Sequence, residues 1–216
     1  VHSKLGDVAK IEPLLTRCLK IQESTLGADH LDVAGTLAGL GDFYRNEHKF
    51  NDAEPLYERS LKIRENSLEA DHPDIASTVN SLAALYDAMG NYAKAERLFS
   101  RALQIREKAL GPEHPDVAQS LAHLAKMYDA MKDYSKTEPL MKRALKIYEA
   151  SMGPDHPFVV ESLNNLAGFY RKTGDFGKVE PLLLRSLEIS EKQLGMDHPE
   201  VAPALINLAM LYDKKG

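Results

Sequence analysis

One spacing governs this chain. His30, His72, His114, His156 and His198 follow one another at 42-residue intervals, and proline follows each of them except His30. Gly6, His48, Gly90, Lys132, Gly174 and Gly216 keep the same interval, so the register runs through five periods without an insertion. A period of this length marks a repeat architecture, in which each supersecondary unit buries its apolar face only by stacking on its neighbours. The expected organisation is a single array over 1–216. It comprises a partial repeat at 1–30, repeats at about 31–72, 73–114, 115–156 and 157–198, and a last helix over 199–216.

Each period reads as two helices. Val33, Leu37, Leu40 and Tyr44 recur as Ile75, Val79, Leu82 and Tyr86, and again from Val117, Val159 and Val201, which is one apolar stripe of a helix, helix A. The segment after it, for example Tyr92 to Leu110, spreads Ala95, Leu98, Phe99, Ala102, Leu103 and Ile105 over more than half of its circumference. This helix B must pack both on its own helix A and on the next repeat. Gly27, Gly111, Gly153 and Gly195 are expected to end helix B in a left-handed conformation, with Glu69 the exception. Pro73, Pro115, Pro157 and Pro199 suit the first turn of helix A, with Asp74 and Asp116 behind them complementing the helix dipole. Pro13, Pro55, Pro139 and Pro181 are expected in the first turn of helix B.

Leu82, Ala83, Tyr86, Gly90, Tyr92, Ala95, Phe99 and Ala102 in one period, and the run from Ser162 to Ala167 in another, resemble the tetratricopeptide repeat in the long form found in kinesin light chains and in many bacterial and signalling arrays. Ile11, Thr137 and Val179 depart from it where Ala53 and Ala95 keep the small residue, and should reshape local packing without abolishing the fold. The resemblance implies an all-α solenoid, a right-handed superhelix of antiparallel helix pairs whose helix A residues line a concave groove. It also implies a binding role, cargo-adaptor recognition being the concrete case for kinesin light chains.

The helix A positions off the apolar stripe then become the candidate site. Asparagine donates and accepts at once and can pair with both groups of a peptide bond, which selects Asn80, Asn164, Asn165 and Asn207. Arg45, Lys126 and Arg171 are candidate selectors of acidic side chains, and His123 falls on the same side. Against this stands the plain alternative that each is solvated helix surface. The lysine and asparagine pair with which some tetratricopeptide domains clamp a chaperone's C-terminal carboxylate is missing: Ala38 with Asp42, Asn80 with Ala84, and Ala122 with Lys126 occupy its positions.

Other chemistry finds little support. The registered histidines cannot share one metal, because ligands lie about 2.0–2.1 Å from zinc and equivalent positions in successive repeats are separated by an intervening helix at about 8–10 Å axis spacing. Neither metal nor cofactor is expected. Cys18 shares its register with Ser60, Ala102, Ala144 and Ser186, a small-residue packing position rather than a catalytic thiol. Glu54, Glu96, Glu138 and Glu180 recur near the start of helix B, which suits dipole complementation or an interhelical hydrogen bond. Tyr44, Tyr86, Tyr128, Tyr170 and Tyr212 sit on the apolar stripe and read as core rather than as a base-stacking ladder. No nucleotide-binding or hydrolase motif occurs, so an enzyme is not expected.

Composition closes off further classes. Hydrophobic residues make up 44% and charged residues 27%, and no apolar run reaches the ~18 residues of a membrane span, so no membrane insertion is expected. A net charge of -5 provides no basic field for nucleic acid. One cysteine and an N-terminal sequence without a leader pattern point to the cytoplasm. The expected partner is a protein or peptide. Two rival readings are end-to-end self-association through an uncapped C-terminal helix, and a sensor arm of a larger signalling NTPase or protease.

Overall fold

The computed structural model describes the backbone of residues 2–215 and the side chains of residues 10–199 and 201–213; the Gly216 end of the register and the leader reading of residues 1–6 fall outside those side chains. Among the described residues all regular structure is helical. The helices group into two compact units, Val1–Gly111 and Pro112–Gly216.

The first unit holds α1 (His2–Leu26), α2 (Leu31–Asn46), α3 (Phe50–Ser67), α4 (Pro73–Ala88) and α5 (Tyr92–Leu110). Here α2 with α3, and α4 with α5, form the expected A–B pairs, while α1 packs on α2 and α3 on α4. The second unit holds α6 (Pro115–Ala130), α7 (Tyr134–Met152), α8 (Pro157–Thr173), α9 (Phe176–Leu194), a 3₁₀ turn at Pro199–Val201, and α10 (Ala202–Lys215). It repeats the scheme with α6 on α7, α8 on α9, α7 on α8 and α9 on α10.

The apolar stripes become small cores strung between pairs. Val33, Ala34 and Leu37 of α2 bury with Ile63 of α3, and Ile75, Ala76 and Val79 of α4 bury with Ala102 and Ile105 of α5. In the second unit Leu166, Phe169 and Tyr170 of α8, Val179 and Leu183 of α9, and Leu208 and Leu211 of α10 form one cluster. Each valine, leucine, isoleucine or phenylalanine among them contributes about 1.5–3 kcal/mol on burial. Thr137 and Val179 are as fully buried as Ala53 and Ala95. Thr137 tolerates this because its hydroxyl donates to the Asp133 carbonyl at 2.9 Å.

The recurring histidines are caps. Nδ1 of His30, His72, His114 and His156 accepts the backbone N–H two residues on, at 3.1–3.2 Å, and so satisfies an orphan donor at the start of helix A. Proline then enters at the first helical turn of α4, α6 and α8, as expected.

Two expectations need correction. Pro55, Pro139 and Pro181 lie inside their helices, each five residues after helix starts at Phe50, Tyr134 and Phe176, and not in the first turn. The aromatic residue that opens each helix B lengthens it by a turn upstream of the proline. The glycines after α5, α7 and α9 combine φ of 88–93° with an extended ψ of 151–156° rather than left-handed helical angles. The chain therefore leaves the helix in an extended direction that glycine alone adopts without strain. The partial repeat also differs from the others, because α1 is continuous through Gly6, whereas His48, Gly90, Lys132 and Gly174 at the same register position lie in turns. The true left-handed turn is the one from helix A to helix B, with Gly90 and Gly174 at φ 74° and 85°. His48 and Lys132 are forced into the same conformation at φ 58° and 62°.

Candidate functional site

Within each unit, the joints between repeats are built by residues on two or three helices. The hydroxyl of a helix A tyrosine donates to a glutamate near the start of the preceding helix B: Tyr44 to Glu12 at 2.8 Å, Tyr86 to Glu54, Tyr170 to Glu138 at 2.7 Å and Tyr212 to Glu180 at 2.9 Å. A lysine from the following helix B covers the ring, as Lys94 does over Tyr86 at 4.3 Å and Lys178 over Tyr170 at 4.7 Å. Of the two roles open to the recurring glutamates, the hydrogen bond is the one observed at these joints. Burial first, then the Glu54 carboxylate, raises the Tyr86 hydroxyl above its ordinary pKa. Of the five tyrosines expected in the core, Tyr86, Tyr128 and Tyr170 are buried, Tyr44 is half-buried and Tyr212, on the last helix A, is exposed.

The helix B surface is tied by ion pairs in the same register. Arg59 meets Glu23 at 2.6 Å, Arg101 meets Glu65 at 2.6 Å, and Arg185 meets Glu149 at 2.5 Å. Lys108 pairs with Asp71 and Lys192 with Asp155. That surface is therefore occupied largely with holding neighbouring repeats together.

The helix A surface differs between the units. In the first, Asn80 is half-buried on α4. Arg45 reaches Asp42 at 3.3 Å, and Asp42 also accepts the Tyr57 hydroxyl at 2.7 Å, so its charge is compensated internally. In the second, Lys126 on α6 and Asn165 on α8 are exposed, His123 on α6 is half-buried, and Asn164, Arg171 and Asn207 converge on one cleft between α8, α9 and α10. Its floor is Ala167, Gly168 and Leu183. Apart from its chain neighbours and the adjoining backbone of α8, no described atom lies within 4 Å of where a Cβ on Gly168 would be, so the floor is open. The cavity is about 40 Å³, room for a side-chain tip and not for a small-molecule cofactor.

The donors in that cleft are uneven. Ser186 donates to Asn164 Oδ1 at 2.9 Å, so one acceptor site of this amide is taken while its NH₂ group has no described partner. Capture of both groups of a peptide bond, expected of all four asparagines, leaves Asn164 the second lone pair of Oδ1 as its acceptor. Among the described residues neither Arg171 nor Asn207 has a hydrogen-bond or ion-pair partner. Sequence reasoning missed the Ser186 contact and the ion pair of Lys172 with Asp129, because no local pattern announces pairings 22 and 43 residues apart.

A tetratricopeptide repeat family model matches residues 1–66, 32–108, 74–150, 130–180 and 158–216, which together span the whole chain. The chain belongs to the tetratricopeptide repeat family. BtubC (BKLC) from P. vanneervenii superposes with a TM-score of 0.80 at 22% identity, over 95% of this chain and 83% of that one. A putative kinesin light chain of Podosopora anserina with nearly identical repeats gives 0.71 at 26%, over 88% and 90%. The apo form of RapI gives 0.69 at 20%, over 85% and 49%. No curated protein sequence matches. The fold is thus an all-α tetratricopeptide solenoid fold, a scaffold for protein–protein interaction of a kind generally without enzymatic activity. No described helix of this tetratricopeptide protein is long and apolar enough to cross a membrane.

Proposed function

We propose that this tetratricopeptide array captures a segment of another protein along its helix A surface in the cytoplasm, without catalysis. The observation that carries the reading is the cleft at Asn164, Arg171 and Asn207, where three polar side chains of one repeat surface converge and two lack any described internal partner. Side chains already held on packed helices need little further ordering, so most of the entropic cost of binding falls on the guest. Asn165 and His123 extend the same surface, and Lys126 adds an exposed cation; Asn80 and Arg45 are the matching candidates of the first unit. The structural likeness to kinesin light chain repeats makes a cargo-adaptor segment the concrete guest. Without a clamp pair, a chaperone-type C-terminal peptide binds weakly or not at all.

A peptide-library selection on the whole chain, repeated with Asn165→Ala and Asn207→Ala, tests the proposal. Selected peptides should bind both variants more weakly. Unchanged affinity in both would remove the amide-capture mechanism, and a selection that enriches nothing would remove the function. The other reading, self-association through α10, draws on Leu205 and Tyr212, 47% and 48% exposed where Leu163 and Tyr170 are buried. Light scattering across concentration separates the two: growing oligomers favour stacking, and a monomer that takes peptides favours capture.

A further inference from the structure

We infer that the cleft at Asn164, Arg171 and Asn207 is a socket for one side-chain carboxylate of the guest, and that Lys172 is the positioning residue that keeps Arg171 available for it. The inference rests on the peptide-capture reading and names the chemistry of that site.

The donor inventory comes first. With Oδ1 of Asn164 already accepting from Ser186, the N–H groups of this amide are the ones without a described partner. Arg171 offers only N–H groups by nature, and the Asn207 amide can turn its own toward them. A cleft furnished with donors and one positive charge is matched by a group with two acceptor oxygens and a negative charge, which among side chains is Asp or Glu. A peptide carbonyl would satisfy one donor and leave the guanidinium uncompensated. At about 40 Å³ the cavity admits a carboxylate tip.

The availability of Arg171 has a cause. Along the 42-residue register Arg171 is preceded by Asp129 on α6, so the neighbouring helix A carries an acid at the equivalent place. That acid is taken by Lys172, whose ammonium lies 2.9 and 3.0 Å from the two carboxylate oxygens of Asp129 and 3.3 Å from its backbone carbonyl. The same ammonium sits 5.5 Å from the Tyr134 ring centroid, which further fixes its place. Of two adjacent cations, one is neutralised within the fold and the other, half-buried beside the cleft, is not. In the first unit the opposite holds, because Arg45 is compensated by Asp42.

The test uses random peptides blocked at both ends by N-acetyl and C-terminal amide groups, selected on the whole chain, with a parallel library bearing free C-termini. The blocked library should enrich Asp or Glu at one position, and Glu→Gln there should weaken binding about tenfold. That preference should vanish in Arg171→Met, shrink in Lys172→Met as Asp129 turns to Arg171, return in Lys172→Met with Asp129→Asn, and survive in Lys172→Arg. A purely structural role for Lys172 would give no return in the double variant. Peptides enriched without an acidic position, a preference that persists in Arg171→Met, or enrichment confined to free C-termini would each overturn the socket while leaving peptide capture standing. Failure of both libraries to enrich any peptide would overturn the capture reading and the socket with it.

Discussion

Gly41 lacks a side chain where the ring of Tyr57 needs the space: a Cβ there would lie 2.8 Å from Cε1 and 3.0 Å from Cδ1 and Cζ of that tyrosine. In later periods alanine takes the glycine's place, as Ala83, Ala125 and Ala167, while Tyr57 gives way to Phe99, Met141 and Leu183. Small and large residues have been exchanged as a pair. Gly41→Ala should destabilise the first unit despite a gain of about 1 kcal/mol in helix propensity, because overpacking a fully buried ring costs about 1–3 kcal/mol. Tyr57→Leu should relieve the clash fully and Tyr57→Phe in part, since Ala83 sits with Phe99 in the next period and loss of the hydroxyl frees the ring from Asp42. A double-mutant cycle by denaturant unfolding checks this.

The turns at His48 and Lys132 carry side chains in a left-handed conformation that costs L-residues about 1–2 kcal/mol. Replacing either with glycine should stabilise its unit by roughly 0.5–1 kcal/mol after the entropy that glycine adds to the unfolded chain. Gly90→Ala and Gly174→Ala should destabilise by a similar amount. Thermal unfolding of the four variants gives the comparison.

Acid should loosen the second unit through Glu138. The Lys142 ammonium and then the Tyr170 hydroxyl hold its carboxyl below the usual range. A folded-state value below the unfolded one gives stability that is fully present above the unfolded carboxylate range and is lost as pH falls through the folded value. Glu138→Gln should lower stability at neutral pH by no more than about 1 kcal/mol, given its exposure, and should flatten the acid limb. Denaturant midpoints across a pH series report both effects.

The histidine caps predict a graded response. His72→Ala should cost about 1 kcal/mol, and His72→Asn should keep most of the cap. Amide exchange in the first turn of α4 reads the difference, faster in the alanine variant.

Much of the architecture was legible because its causes are local and repeated. A stripe such as Ile75, Val79, Leu82 and Tyr86 specifies a helix and its buried face at once. The prolines of helix B misled because Phe50, Tyr134 and Phe176 start their helices a turn earlier than the proline suggests. At the site, the choice of asparagines and cations brought out Asn164, Arg171 and Asn207, which the fold gathers into one cleft. Their availability was hidden, since it depends on Ser186 and on the pairing of Lys172 with Asp129, partners fixed only once the helices pack.

Hydrogen exchange of the whole chain with and without a selected peptide measures the central claim most directly. Capture on the helix A surface predicts added protection in α8 and α10 around Arg171 and Asn207, with the helix B ladder of Arg185 and Glu149 unchanged. Protection confined to that ladder, or none anywhere with the peptide bound, would contradict it.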